Sequence, residues 1–271
     1  MNKIFFCIVL SCALVISSCG GRGGSSATVV EEACCEMDLG LKLWAELDLT
    51  AAPNTLTSEE RQAGWQLLFD GVSFNGWHGY NTPGQIPGDW AIEDGTLTVN
   101  GTGGGEEHDI ITNGIYRDFA FTVEYMLTPG ANSGIMYHVK EDPMYEFPYE
   151  TGPEFQLNDD SNRPIERRLQ GVQSHGADYG MHAPIISPLP ANPANEWNRM
   201  MLIVKDNEVI HIMNGVEIVR FTRRSPEWNE LRNSGKWDDF PDYAKYDEGH
   251  FSIQNHGHKL WYRNVKIKVL D

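Results

Sequence analysis

Short runs of alternating apolar and polar residues, separated by turn dipeptides, constrain the fold of this chain more than any other feature. In "FAFTVEYML", residues 119–127, apolar side chains recur at every second position, and "SGIMYHVK", "PEFQLND" and "HFSIQNHG" are similar. A period of two is the pattern of a strand with one buried face. Turn signals such as Asn214-Gly215 separate the runs. Without strong helical periodicity over three turns, the sequence predicts an all-β antiparallel sandwich or jelly roll.

The first residues form a secretory signal. Lys3 precedes an apolar run, residues 4–16, which is too short for a transmembrane helix. The end of this run, Ser17-Ser18-Cys19, resembles the bacterial lipobox, so we expect cleavage before Cys19 and a lipid on its thiol. An ordinary signal peptide cut nearby is the alternative. The expected location is the bacterial cell envelope, lipid-anchored, on the periplasmic side or at the surface.

Three segments are predicted along the chain. Residues 1–18 are the signal peptide, residues 19–56 are the lipidated Cys and a tether or spacer with a short helix near residues 37–47, and residues 57–271 are the folded domain. The Gly/Ser-rich sequence after Cys19 is typical of a flexible linker. Thr57 and Glu60 have the spacing of a capping box that begins a brief helix. The domain lacks cysteine after residue 35, so its stability must come from a hydrophobic core.

The net charge of -17 limits the partners of the protein. Such a surface repels nucleic acid, and it suits a protein that handles neutral ligands or cations. Residues 160–196 are rich in Gly and Pro, and a long loop in a compact domain is usually a functional rim or lid.

Polar side chains lie on one face of several predicted strands. If these strands are neighbours in one sheet, their polar faces would meet and form a site for a polar small molecule. Each of these residues taken alone is more often solvated than functional. Together they are titratable groups and amides rather than the Lys/Glu/Thr mixture of a merely solvated face. The residues in this set are Glu124, His138, Lys140, Glu154, Gln156, Gln254 and His256.

Other candidates lie in loops or break the alternation. Trp77 and Tyr80 in "GWHGYN" could stack on a sugar ring, and His175 could line the rim of the site. Asp159 has a turn role as an equally good explanation. Arg263 shares its parity with apolar residues, which a bulge or a buried carboxylate partner would explain.

Several motifs in order resemble the 3-keto-disaccharide hydrolase family, which is common among bacterial lipoproteins. The matching stretches are "GWQLLFDGVSFNGWHG", "NSGIMYHV", "YETGPEFQLND", "NEWNRMMLIVKDNEVIHIMNGVEIV" and "GHFSIQNHGHKLWYRNVKIKVL". The resemblance covers residues 56–270 and implies a jelly-roll β-sandwich of the concanavalin A/laminin-G type. It also implies action on glycosides that are already oxidised at C3. The chain has His138 where members often carry Arg, and Asn255 where they carry Asp.

The implied reaction assigns roles to the residues. A ketone at C3 acidifies the hydrogen at C2, so a base can remove it, the C1 substituent leaves, and water adds back. We expect Glu154 to be the base and His256 the electrophile or acid. Gln156 and Gln254 would orient the substrate, with support from Glu124 and Arg263. A divalent metal could replace the electrophile, and the sequence leaves the cofactor and its ligands undecided.

Two other functions stay open. A retaining glycosidase needs two carboxylates close together, and the strand Glu154, Gln156, Asn158 offers one. A non-catalytic carbohydrate-binding lipoprotein of a glycan-utilisation system would use the same aromatic and amide groups for stacking and hydrogen bonding.

Overall fold

The chain folds as a two-sheet β-sandwich. The computed structural model describes residues 38–101, 108–162, 166 and 168–271, which belong to one compact unit spanning residues 37–271. Antiparallel strands dominate this unit and its α-helices have five to seven residues. The predicted all-β jelly-roll sandwich is confirmed.

The helices and strands are short and closely spaced along the chain. The α-helices are α1 (Leu39–Ala45), α2 (Ser58–Gln62) and α3 (Pro226–Arg232). The strands are β1 (Trp65–Leu67), β2 (Trp77–Gly79), β3 (Trp90–Glu93), β4 (Thr96–Asn100), β5 (Ile110–Thr112), β6 (Phe119–Leu127), β7 (Asn132–Val139), β8 (Glu154–Asn158), β9 (Trp197–Lys205), β10 (Glu208–Met213), β11 (Val216–Thr222), β12 (His250–Ile253) and β13 (Lys259–Val269). Short 3₁₀ helices cover Pro148–Glu150, Gly171–Gln173 and Lys236–Asp239.

The strands of the described residues form a large sheet and a small sheet. The large sheet has eight strands in the order β11-β10-β9-β6-β13-β4-β3, with β1 also paired to β13. The small sheet has five strands in the order β2-β5-β12-β7-β8. The chain therefore crosses repeatedly between the two sheets, so strands close in sequence often lie in different layers.

The hydrophobic core lies between the two sheets. Phe121 of β6 and Phe251 of β12 stack across this space with their ring centroids 4.3 Å apart. Phe155 and Leu157 of β8 are fully buried in the same core. Because side chains alternate along a strand, the residues between them face away from the core. The predicted inward faces of β6, β8 and β12 are thus observed.

The segment before residue 57 packs on the outer face of the large sheet. Leu43 of α1 and Leu47, which follows the helix, are buried in one hydrophobic cluster with Ile203 and Ile210. The sequence analysis assigned residues 19–56 to a tether and began the domain at residue 57. In the structure, residues 39–47 instead belong to the domain because they cover apolar side chains of β9 and β10.

A buried ion pair fixes α2 to the large sheet. Lys266 of β13 donates to both Glu60 oxygens at 2.8 and 2.9 Å, and both residues are almost fully buried. Glu60 also accepts from the Thr57 backbone N–H, which completes the predicted capping box. Removing either member of such a pair would leave an uncompensated charge in the protein interior.

The predicted membrane anchor cannot be placed in this fold. Cys19, the signal peptide and residues 20–37 of the tether lie outside the described residues. Within the part of the chain that the structure describes, no helix is both long and apolar enough to cross a membrane.

Candidate active site

The polar face of β8 is buried, although it points away from the core. Glu154, Gln156 and Asn158 are 4%, 1% and 3% exposed. The segment after residue 174 covers this edge of the small sheet, because the Gln156 N–H donates to the Ala177 carbonyl at 3.0 Å and the Tyr179 N–H donates to the Glu154 carbonyl at 3.0 Å. A merely solvated strand face would stay open to water, so these polar groups are not explained by solvation.

Glu154 and His256 line one cavity of about 240 Å³, here called the Glu154 cavity. Glu154 and Gln156 reach it from β8, while Gln254 and His256 reach it from the segment after β12. Leu169 and Tyr179 of the long loop close one side, as the prediction of a functional rim expected. The other residues that line the cavity are Asn132, Tyr149 and Lys236.

Gly134 makes room for the Glu154 carboxylate. It lies in β7 opposite Gln156, so it is next to Glu154 on the face of the small sheet. A Cβ added at Gly134 would collide with the Glu154 carboxylate oxygen Oε1. The end of β12 is held at the same place, since the Gln254 N–H donates to the Gly134 carbonyl at 2.9 Å. A glycine inside this strand therefore permits the close approach of a functional side chain.

Burial raises the pKa of the Glu154 carboxyl to about 8. The Lys236 ammonium acts in the opposite direction and favours the ionised form, while Asp109 and Asp178 favour the protonated form. The Gln156 side chain, oriented with its NH₂ toward acceptors, donates to Glu154 Oε1 at 2.9 Å. A carboxyl with this pKa can be a strong base near neutral pH, which is a property of catalytic rather than structural carboxylates.

Lys236 brings a positive charge to the cavity and was missed by the sequence analysis. Its Nζ lies 4.8, 4.8 and 4.5 Å from the ring centroids of Tyr149, Tyr179 and Trp237. Burial lowers the pKa of Lys236, and the nearby Glu154 partly restores it. The residue lies in a 3₁₀ helix far along the chain, with no alternation around it that would have indicated a functional position.

His256 lies between the Glu154 cavity and a second, larger one. This second cavity of about 610 Å³, here called the Tyr80 cavity, shares Tyr149, Gln254 and His256 with the first. The remaining residues that line it are Tyr80, His108, Asp109, Glu146, Phe147, Pro148 and Asn255. His256 is exposed, so its imidazole can reach a ligand that extends through both cavities.

The structure does not bring Glu124 and Arg263 to this site. Both lie on the outer face of the large sheet, where Glu124 of β6 pairs with Arg199 of β9 and with Arg263 of β13 at 2.6 Å. The alternation along β6 was predicted correctly. The expectation that β6 lies in the same sheet as β8 was wrong, because β6 belongs to the large sheet and β8 to the small sheet. The two expected explanations for Arg263 are both present: a bulge between Arg263 and Lys266, and a carboxylate partner.

His138 is a structural residue away from the Glu154 cavity. A bulge in β7 gives His138 a φ of 53° and turns its ring inward, where it is 1% exposed. Its Nε2 lies 2.8 Å from the Arg117 carbonyl and its Nδ1 2.9 Å from Arg223. Burial, reinforced by Arg223, lowers the pKa of His138 to about 3, so the ring is neutral. The predicted substrate contact is therefore wrong because the bulge breaks the alternation.

His175 and Asp159 line a third cavity, beside the end of β8. His175 Nε2 lies 2.8 Å from the Tyr125 hydroxyl, and its Nδ1 accepts from the Asn158 N–H at 3.0 Å. Asp159 accepts hydrogen bonds from Gly130 at 2.8 Å and from residues 161 and 162 of the following turn. Asp159 therefore has the turn role that was one of its two expected explanations. Neither Asp159 nor His175 lines the Glu154 cavity.

The two aromatic candidates have different positions. Trp77 is buried in the core, where its Nε1 donates to the Leu68 carbonyl at 2.6 Å, so it cannot stack on a ligand. Tyr80 lines the larger cavity next to the Glu154 cavity. Of the two residues predicted from this loop sequence, Tyr80 lines a cavity and Trp77 belongs to the hydrophobic core.

Comparisons with known proteins agree with this architecture. Residues 64–268 match the family model described as a 3-keto-alpha-glucoside-1,2-lyase-like domain. This chain belongs to that family. A 3-keto-disaccharide hydrolase of Bacteroides thetaiotaomicron is 28% identical over 297 residues, with all of both chains covered. Family membership indicates an enzyme that acts on glycosides.

Two solved structures are also similar to this member of the 3-keto-alpha-glucoside-1,2-lyase-like family. A putative glycosyl hydrolase from Parabacteroides distasonis is 40% identical, with a TM-score of 0.75, and the match covers 81% of this chain and 100% of that one. A second putative glycosyl hydrolase from the same species is 22% identical, with a TM-score of 0.57, over 76% of this chain and 99% of that one. The second likeness concerns the fold alone.

The described side chains of this family member offer no group of three or more His, Cys, Asp or Glu residues that could hold a metal ion. In the Glu154 cavity, Glu154 and His256 are the residues of these types, and the remaining polar groups are amides, phenols and an ammonium. These residues do not fit the divalent metal that the sequence analysis left open, so we derive no step through one.

Replacing Glu154 by Gln should increase stability more at high pH than at low pH. The folded-state pKa of about 8 lies above the ordinary value, so the folded protein holds a proton that the unfolded chain releases. The wild type should therefore lose unfolding free energy as the pH rises from about 5 to about 9, and the variant should lose less. Urea unfolding at both pH values measures the difference.

The matched control for this prediction is Glu196→Gln, which neutralises an exposed carboxylate before β9. Its effect on the unfolding free energy should stay small at both pH values. If Glu154→Gln has the same effect at about pH 5 as at about pH 9, the carboxyl of Glu154 does not have a raised pKa.

Proposed function

We propose that this protein cleaves glycosides whose sugar ring carries a ketone at C3, by elimination across C1 and C2 followed by addition of water. The observation that carries the proposal is the Glu154 cavity, where a buried carboxyl of raised pKa lies beside amides, an ammonium and an imidazole. Membership of the 3-keto-alpha-glucoside-1,2-lyase-like family supports the same substrate class.

The first step is removal of the C2 hydrogen by Glu154. The carboxylate takes the proton, and the electrons of the C2–H bond pass into the C3 carbonyl to give an enolate. Glu154 is 4% exposed, so little water can reach the carboxylate and donate a proton to it in place of the substrate. A buried carboxylate that holds a proton up to a pH of about 8 is also a far stronger base than one in water.

Lys236 and the amides are suited to the negative charge of the enolate. The Lys236 ammonium is held among three aromatic rings, so it is already oriented before the substrate enters. Gln156 and Gln254 add amide groups in the same cavity. Fixed donors and charges aimed at a developing oxyanion commonly make the largest contribution to catalysis.

The second step breaks the bond between C1 and the leaving oxygen. The enolate electrons form the C1–C2 double bond, and the leaving oxygen takes a proton from His256, which lies where the two cavities join. Addition of water across the double bond, with OH at C1 and H at C2, then gives the free 3-keto sugar. The sum of the steps is hydrolysis of the glycosidic bond.

Direct hydrolysis of an unoxidised sugar is less consistent with the cavity. A retaining glycosidase needs two carboxyl groups about 5 Å apart. Among the described residues that line the Glu154 cavity, Glu154 is the single carboxylate. Asp178, also buried near β8, is hydrogen-bonded to His182 Nδ1 at 2.9 Å and does not line the cavity.

The Glu154→Gln variant tests the proposed base. Gln keeps the shape of the side chain and cannot accept the proton, so we expect cleavage of a 3-keto-glucoside to slow by about 100-fold or more. Product analysis by chromatography should show that the wild type cleaves the 3-keto-glucoside and leaves its unoxidised parent intact. Glu196→Gln, whose side chain is exposed and lines neither cavity, should retain wild-type turnover.

Near-normal turnover by Glu154→Gln would refute the role of this residue. If the wild type cleaves neither compound but binds both, the protein is the carbohydrate-binding lipoprotein that the sequence left open. Cleavage of the unoxidised parent would instead point to a glycosidase.

We also propose that the enzyme works at the bacterial cell envelope, anchored by a lipid on Cys19, on the periplasmic side or at the surface. The small residues before Cys19 and the flexible sequence after it support this location. In detergent phase partitioning of bacteria that express the full chain, the wild type should enter the detergent phase and Cys19→Ser should stay in the aqueous phase. Recovery of the wild type in the aqueous phase would contradict the anchor.

A further inference from the structure

The Tyr80 cavity continues the Glu154 cavity in a way that suits a substrate of two parts. Tyr149, Gln254 and His256 line both cavities, so a ligand can extend from one into the other. If the keto sugar occupies the Glu154 cavity, with C2 at the carboxylate, the bond to be broken lies near His256. The group that leaves C1 then lies in the Tyr80 cavity. This inference rests on the proposed function and adds to it the chemistry of the leaving group.

Aromatic rings form one wall of the Tyr80 cavity. Phe147 and Tyr149 stack with their ring centroids 5.1 Å apart and their planes 7° from parallel. Phe147 is 40% exposed, so part of its apolar surface is open to a ligand. Tyr80 lies 9% exposed in the same lining. Rings of this kind bind flat or ring-shaped groups by stacking.

The lining of the Tyr80 cavity contains two carboxylates, Asp109 and Glu146, and two imidazoles, His108 and His256. None of the described residues in its lining is Lys or Arg. More carboxylates lie close behind this wall. After burial, the negative charges of Glu150, Glu141 and Asp142 raise the pKa of the Tyr80 phenol. The electrostatic potential in the Tyr80 cavity is therefore negative, whereas the Glu154 cavity contains the Lys236 ammonium.

We infer that the Tyr80 cavity binds the leaving group and selects neutral or cationic leaving groups over anionic ones. A carboxylate, sulfate or phosphate in this cavity would face Asp109 and Glu146 with no Lys or Arg in the described lining. A neutral hydroxylated ring or an amine would not suffer this repulsion. The same field disfavours departure of the leaving oxygen as an anion, so it favours proton transfer from His256 as the bond breaks.

A matched pair of substrates tests this selectivity. The two 3-keto-glucosides have a 4-carboxyphenyl leaving group, which is anionic, and its methyl ester, which is neutral. With the full-length wild type we expect a lower kcat/KM for the anionic compound, and this deficit should shrink as salt is added because salt screens the repulsion. Glu146→Gln should raise the kcat/KM of the anionic compound relative to the neutral one by about threefold at low salt.

Glu196→Gln is the control, since it removes one negative charge from an exposed position outside both cavities and should leave this ratio unchanged. The repulsion in the bound state can be measured separately, without turnover, as the ratio of the two dissociation constants on Glu154→Gln. Cleavage of neither compound by the wild type would refute the proposed function, while the binding ratio still tests the cavity.

The inference is overturned in either of two ways. One is a ratio that does not change with salt and is the same in Glu146→Gln as in the wild type. The other is the failure of both compounds to bind Glu154→Gln.

Discussion

The burial of the Glu154 carboxyl on the outer face of the small sheet is the constraint on which the rest of the site depends. It requires Gly134 beneath the carboxylate, a covering segment hydrogen-bonded along β8, and the 3₁₀ helix that carries Lys236. Phe155 and Leu157 fix the register of β8 because both are buried in the core. A slip of one residue would exchange the two faces of the strand and move the carboxyl into the sandwich. Folding and chemistry are thus linked through one five-residue strand.

Opposite local charges divide the groove into two parts. The Lys236 ammonium provides a positive charge where the enolate would form, although the protein carries a net charge of -17. The aromatic rings around it keep the ammonium in place at the cost of partial desolvation, which the nearby Glu154 offsets. Beyond His256 the lining is acidic. A substrate that spans the two cavities would therefore have negative charge stabilised at its keto sugar and disfavoured at its leaving group.

Alternation along single strands predicted the fold and part of the site, because burial of one strand face is a local property of the sequence. Glu154, Gln156, Gln254 and His256 meet as expected for that reason. The assignment of strands to sheets depends on long-range pairing, which a local pattern does not contain, so Glu124 was placed in the wrong layer. The bulge at His138 and the position of Lys236 had no local signal either. Trp77 shows the same limit, since an aromatic residue beside a turn can face a ligand or the core.

The origin of the C2 hydrogen in the product tests the central claim most directly. When the full-length protein cleaves a 3-keto-glucoside in D₂O, elimination followed by addition of water places deuterium at C2 of the released 3-keto sugar in every turnover in which Glu154 exchanges its proton with solvent before water adds. NMR spectroscopy of the product, with the free 3-keto sugar incubated without enzyme as the control for spontaneous exchange, reads this directly. We predict deuterium at C2 beyond the control. Cleavage that retains the original C2 hydrogen, at the same rate for the ordinary substrate and for one deuterated at C2, would contradict proton abstraction by Glu154 and would indicate direct displacement at C1.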